Sequence, residues 1–290
     1  MTRSGPALVI DAHTHIFPPF IKDSREAHRE RDVWFAELYA SPKALLTTAE
    51  DLIASMDRAG ITRSIACGFP WRDPGLCRAH NDYLAEAARS YPERISWLAT
   101  VSPGGPEALA EVERAFSLGA AGLGELNADG QNFALDQPEL LAPLVELVTA
   151  HRRPILFHVS EPVGHSYPGK GTATPARLVV FLAAFPEVRV AAAHWGGGLP
   201  FYELMPEVAE LTRNLVYDSA ASTYLYRFQI FPSAVHITGL ERVMFASDYP
   251  ILRQDRFLRR VRQVLAPHEL EPVLWQNAAR FYRLPEGELL

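Results

Sequence analysis

The sequence predicts an α/β fold, a (β/α)8 TIM barrel in a single domain spanning residues 1–290, with a long first βα loop. Three observations predict it. Eight short apolar runs alternate with helix-like segments from one end of the chain to the other. Apart from a longer first connection, they recur every 25 to 35 residues or so, and a chain of 290 residues suits a barrel that needs roughly 250. The place after the first run, where an open doubly wound sheet usually carries a glycine-rich phosphate loop, holds HTHIFPPF instead. No low-complexity linker divides the chain.

The runs are ALVIDAH, RSIACGF, RISWLATV, AAGLGEL, PILFHVS, RVAAAHW, LVYDSAAS and RVMFASD. Each is bounded by turn formers and is too short for a buried helix, which predicts strands covered on both faces. After the first run comes a Pro-containing connection from about residue 17 to 46, rich in charge and aromatic residues, as lids and binding walls at a barrel mouth are. TTAEDLIASMDRAG then reads as a helix, with Thr47 and Glu50 as a capping box and Gly60 as its stop. GPEALAEVERAFSLG has Pro106 near its start and Gly119 past its end. In QPELLAPLVELVTAHR, Pro143 either kinks a helix or marks its true beginning. TPARLVVFLAAFP offers Thr174 as N-cap and Pro175 as first helical residue.

Composition narrows the partners. The net charge is −6, with no basic block and no basic stripe interleaved with aromatics, so nucleic acid is not expected. The longest apolar stretches fall far short of the roughly 20 residues of a membrane span. No charged segment followed by an apolar one opens the sequence, so no secretory signal is expected. Cys67 and Cys77 are too few for a disulfide framework and suit a reducing cytoplasm.

Active sites of such barrels lie at the carboxyl ends of the strands, so the residues closing each run carry the chemistry. Run one ends in His13 and His15, whose alternation points both rings to one face. Run five ends near His158, run six near His194 and run eight at Asp248. Imidazoles and carboxylates converging on one mouth are the donor set of a zinc-like divalent ion. Glu125 closes run four, as a ligand, as a support to ligands or as a structural residue. Asp11 shares the face of His13 and His15 but lies deeper, which suits support rather than coordination. Of the remaining histidines, His28, His80, His151, His236 and His268 read as structural or solvated.

The ordered set DAHTHI, GELN, FHVSEPVGH, AAHWGG and FASDYP resembles the amidohydrolase superfamily. Within it, the chain is similar to the amidohydrolase-related branch that includes aminocarboxymuconate semialdehyde decarboxylase. The likeness runs from the first strand to the closing NAARFYRL. It implies that His13, His15, His158 and Asp248 hold one divalent ion, usually zinc, with Glu125 at a strand-four place that is a glutamate ligand in TatD-like relatives. A second metal bridged by a modified lysine is not available, because no lysine lies between Lys43 and Lys170. The resemblance also implies pairing of two chains.

Bound zinc can bring the pKa of a water to about 7. His194 or Asp248 would then move the proton. The leading expectation is therefore a metal-dependent hydrolase acting on a small organic acid derivative. The alternative is a metal-dependent, non-oxidative decarboxylase of an aromatic or unsaturated carboxylate, and a third reading is a barrel that binds without turnover. For the substrate, Trp71, Arg72, Asn127, Lys170 and Trp195 follow the strands and are expected to line the mouth. Arg72 and Lys170 would grip an anionic group of a small-molecule substrate.

Overall fold

The computed structural model describes residues 8–284; Ala7 of the first run and the outer ends of the expected domain lie outside the described residues. Eight strands follow the order of the sequence: β1 (Ile10–His15), β2 (Arg63–Cys67), β3 (Ile95–Ala99), β4 (Gly122–Leu126), β5 (Ile155–Phe157), β6 (Val190–Ala192), β7 (Leu215–Asp218) and β8 (Val243–Met244). Each pairs in parallel with the next. The seam between β8 and β1 is drawn together by Ala12 N to Phe245 O at 2.9 Å and Asp248 N to His13 O at 3.0 Å. Helices connect the strands, so the architecture is the (β/α)8 barrel that the alternation predicts. Among the described residues, no helix is long and apolar enough to cross a membrane.

Two apolar layers hold it together. Inside the barrel, Ile10, Ile65, Leu98, Leu156 and Met244 pack with small residues such as Ala191 and Ala193. The C-terminal helix Asn277–Tyr282 adds Phe281 and Tyr282 to that layer. Outside it, Leu123, Phe157, Val190 and Tyr217 meet helix residues such as Leu178, Phe181 and Val261. A fully buried side chain of this kind stabilises by about 1.5–3 kcal/mol, so the two layers explain why a chain with so few charges in its strands folds this way.

The helix after the first loop spans Ala49–Ala59, and its capping box is Thr48 with Asp51, one residue beyond the expected Thr47 and Glu50. Thr47 instead donates its hydroxyl to His15 O at 3.1 Å. Gly60 stops the helix in the left-handed conformation as expected. Pro143 resolves as the start of a helix, Ala142–Ala150, preceded by a short turn at Pro138–Leu140.

The first connection is not a bare loop. It folds into three short helices, Pro19–Asp23, Arg25–Arg31 and Val33–Leu38. Asp32 caps the third by accepting from the amides of Trp34 and Phe35. Phe17, Trp34, Phe35, Phe69 and Trp71 then pack into one cluster, with the rings of Phe35 and Tyr39 stacked 4.6 Å apart. That cluster anchors the segment as a wall over the carboxyl ends of the strands.

Candidate metal centre

Simple alternation along β1 does not deliver its histidines. A register slip between Asp11 and Thr14 reverses the phase of the strand. Ile10 and Ala12 join the inner apolar layer, and beyond the slip His13 and His15 turn inward instead. Asp11 therefore does not share their face, contrary to expectation. Its buried carboxylate accepts from the Ser247 hydroxyl at 2.5 Å and from Gln254 Nε2 at 2.8 Å, tying β1 to the end of β8.

The other donors arrive by separate devices. A second register irregularity in β4 lies next to Gly124, whose φ of +133° suits glycine and whose added Cβ would lie 2.6 Å from Leu156 O. It leads into Glu125. Just past β5, His158 continues the inward phase of Leu156. Past β6 the inward phase of Ala191 falls on Ala193, and His194 reaches the site as the chain turns left-handed. His194, Trp195, Gly196, Gly197 and Gly198 all have positive φ, from +55° to +92°. The three glycines make this turn accessible, since a Cβ on Gly197 would lie 2.4 Å from Ser160 O.

These devices bring His13, His15, Glu125, His158, His194 and Asp248 into one cluster. The ligand atoms of His13, His15 and Asp248 lie within 4.8 Å of one another, as do those of Glu125, His158 and His194. Glu125 bridges the two groups, with Oε1 3.0 Å from His158 Nδ1 and Oε2 3.7 Å from Nε2 of both His13 and His15. His194 Nε2 lies 3.3 Å from Asp248 Oδ2.

Asp218, which closes β7, is the functional residue that the reading of strand ends passed over. Its Oδ2 accepts from His13 Nδ1 at 2.8 Å, and its Oδ1 accepts from the His194 amide at 2.9 Å. The signal was present, since LVYDSAAS places an acid near the end of its run, as the other runs place their candidate donors.

The electrostatics suit a cation. Nε2 of His13 and of His15 face each other at 3.0 Å, although the other nitrogen of His13 is already held by Asp218 and His15 meets the Gly68 backbone. Two imidazole lone pairs directed at one point repel unless positive charge lies between them. Burial opposes protonation of His13, yet the carboxylates of Asp218 and Glu125 outweigh it and raise its pKa to about 10. Burial also opposes protonation of His194, and the hydrogen bond to Asp248 together with the charges of Glu125, Asp248 and Asp218 outweighs it, raising the value to about 9. Glu125 is held well below the usual carboxylate range because the charges of His158 and His13 overcome its burial. Burial and the charge on His13 push His15 down. The buried carboxylates thus favour positive charge at this point, and the donor set of imidazole and carboxylate fits a divalent cation.

Above this floor is a cavity of about 280 Å³. Its walls carry Trp34, Leu38 and Tyr39 from the first connection, Phe69 and Pro70 after β2, and Tyr167 and Pro168 after β5. Tyr224, Leu225, Pro250 and Ile251 complete the far side. Of the residues expected to line the mouth, Asn127 does so, with its Oδ1 accepting from Gly130 N at 2.9 Å. Trp71 is buried in the aromatic cluster and donates to His80 Nδ1 at 3.0 Å. Trp195 is also buried, donating to Ser222 Oγ at 2.7 Å and packing edge-on against Phe231. Arg72 hydrogen-bonds the carbonyls of Gly130 and Asp129, and Lys170 those of Val163 and His165. The structure therefore does not place these four side chains on the cavity wall.

Comparison with known proteins agrees with this geometry. A family model described as amidohydrolase matches residues 10–284. No curated relative matches the chain. Among solved structures, 5-carboxyvanillate decarboxylase from Sphingomonas paucimobilis is 20% identical with a TM-score of 0.80, covering 96% of this chain and 100% of that one. The 5-carboxyvanillate decarboxylase from Novosphingobium aromaticivorans, complexed with manganese and 4-hydroxy-3-methoxy-5-nitrobenzoic acid, is 20% identical with a TM-score of 0.74, covering 96% of each chain. A probable 2-pyrone-4,6-dicarboxylic acid hydrolase from Acinetobacter baumannii is 16% identical with a TM-score of 0.66, covering 95% and 99%. At such identities the likeness speaks for the fold.

Proposed function

The chain belongs to the amidohydrolase family, and on that footing we propose that it is a metal-dependent, non-oxidative decarboxylase of a small aromatic carboxylate. The observation that carries this reading is the cavity itself, an aromatic and apolar enclosure set directly on a floor of metal-ligating side chains. A carboxylate drawn into such surroundings loses hydration, and the dispersed charge of the departing electron pair is better tolerated there than in water. The decarboxylases among the structural neighbours support the same choice.

His13, His15, His158 and Asp248 would hold one divalent ion, zinc by donor chemistry, with Glu125 as a fifth donor. When bound, that ion would supply positive charge to which an anionic substrate group could be drawn at the floor. Asp218 fixes the His13 ring through Nδ1. The aromatic walls hold a planar ring above the floor. The His194 and Asp248 pair holds a proton between Nε2 and Oδ2. As the carbon–carbon bond to the carboxylate breaks, its electron pair stays with the ring carbon, that carbon takes the proton from this pair, and carbon dioxide leaves.

Hydrolysis of an ester, lactone or amide is the second reading, favoured by the 13% side-chain exposure of His15 and His158, which lets water reach the floor. Metal-loaded protein is to be offered a panel of aromatic carboxylates, lactones and amides. Release of carbon dioxide from one or more carboxylates supports the proposal, whereas ring opening or amide cleavage with no carbon dioxide from any acid overturns it. Elemental analysis of the same protein tests the ion, with one equivalent of zinc per chain expected. The free, buried Cys67 and Cys77 support a cytoplasmic setting, and the family likeness supports a homodimer, which sedimentation would test.

A further inference from the structure

Arg72 and Lys170 would be the natural partners for a second acidic group on the substrate, but both are spent on backbone carbonyls. Arg25, whose charge acts on Tyr39, is spent likewise on the carbonyls of Ser41 and Ala44. No arginine or lysine lines the cavity among the described residues, and apart from the floor imidazoles the wall's one group able to take positive charge is the exposed His165. Elsewhere the wall is hydrocarbon, aromatic face and neutral polar groups, while the floor adds the carboxylates Glu125 and Asp248. A buried charge without a partner is expensive, and an exposed one on the rim gains little from a solvated imidazole. The volume, about 280 Å³, sits at the lower edge of the roughly 300 Å³ where ligand pockets begin, so it suits one ring.

We propose that this site accepts a single-ring monoanion, anchored only at the floor, and discriminates against dianions of the same size because Leu38, Phe69, Leu225 and Ile251 stand where a second anionic group would need a cation. The proposal rests on reading the site as one for organic acids. It narrows that class by charge and turns on residues of the wall rather than on the ligands.

Three probes separate charge from size: benzoate, 3-nitrobenzoate and isophthalate, the last two being near-isosteric and differing by one charge. Calorimetric titration of the metal-loaded protein should give similar affinities for the first two and at least tenfold weaker binding of isophthalate. In Ile251→Arg, where the native side chain is 53% exposed and replacement spares the core, the gap between 3-nitrobenzoate and isophthalate should narrow to threefold or less. Isophthalate binding as tightly as 3-nitrobenzoate in the unmodified protein overturns the inference and leaves the organic-acid reading standing. So does 3-nitrobenzoate binding as weakly as isophthalate, which would trace selection to size. Binding of none of the three overturns the organic-acid reading along with it.

Discussion

Asp218 accepts from His13 Nδ1 and from the His194 amide, so one carboxylate sets both the His13 ring and the turn that carries His194. An asparagine there keeps the volume but presents a weaker acceptor and drops the charge that holds the His13 tautomer. Asp218→Asn should therefore weaken metal binding by about 10–100-fold. Competition with a fluorescent chelator would measure this, and circular dichroism would confirm that the barrel persists. The two histidines that follow β5 and β6 should divide in a different way. His158→Ala removes a donor from the floor and should lower metal content. His194→Ala should leave metal content near one equivalent and remove most turnover, since its Nε2 pairs with Asp248. Loss of the ion from the His194 variant would instead make His194 a ligand and point to a second metal.

At the level of single elements, the left-handed turn from His194 to Gly198 carries the clearest energetic consequence. Gly197→Ala forces a Cβ against Ser160 O and places alanine at φ +63°. Gly60→Ala meets the same kind of backbone penalty, at φ +71°, with nothing within 4 Å. The second change should cost about 1–2 kcal/mol in urea unfolding, from the left-handed conformation alone. The first should cost clearly more, and its excess over Gly60→Ala reports the collision. The same turn shows where sequence reading stops. Strand ends and their donors were legible because apolar runs stop at His13, Glu125, His158 and Asp248. The β1 bulge was not, because a slipped register depends on which residue of β2 is opposite, and Asp11 was misplaced for that reason. Trp71 and Trp195 follow their strands as expected, yet a side chain's direction after a strand is set by loop conformation rather than by position in the chain. Arg72 and Lys170 were legible as charges, but the carbonyls they satisfy are made only by the folded loops.

Across the whole molecule, His80 joins three segments that the barrel alone would not fix together. Its Nε2 lies 2.7 Å from Ile16 O, and its Nδ1 accepts from the Phe69 amide at 3.3 Å and from the Trp71 indole at 3.0 Å. With Nδ1 accepting twice, the proton belongs on Nε2 and the ring is neutral. Protonation would put a hydrogen on Nδ1 and break both contacts, and burial lowers the pKa from 6.5 to about 4. In the unfolded chain the same ring titrates at its ordinary value. Between those two values the unfolded state binds a proton that the folded state refuses, so folding stability from this group is complete above pH 6.5 and falls as pH drops towards 4. The slope is at most about 1.4 kcal/mol per pH unit, or about 3 kcal/mol in all. Two measurements check it. The carbon-bound ring proton of His80 should hold a constant NMR shift from pH 8 to about 5. Urea unfolding of His80→Gln should release the chain from one proton of acid dependence across pH 4 to 6.5, whatever its stability at neutral pH. A ring that titrates near 6.5 in the folded protein would mean that the link between the β1 end, the β2 end and the first-loop cluster is not the neutral three-way contact described above, and the acid slope would then have to come from elsewhere in the barrel.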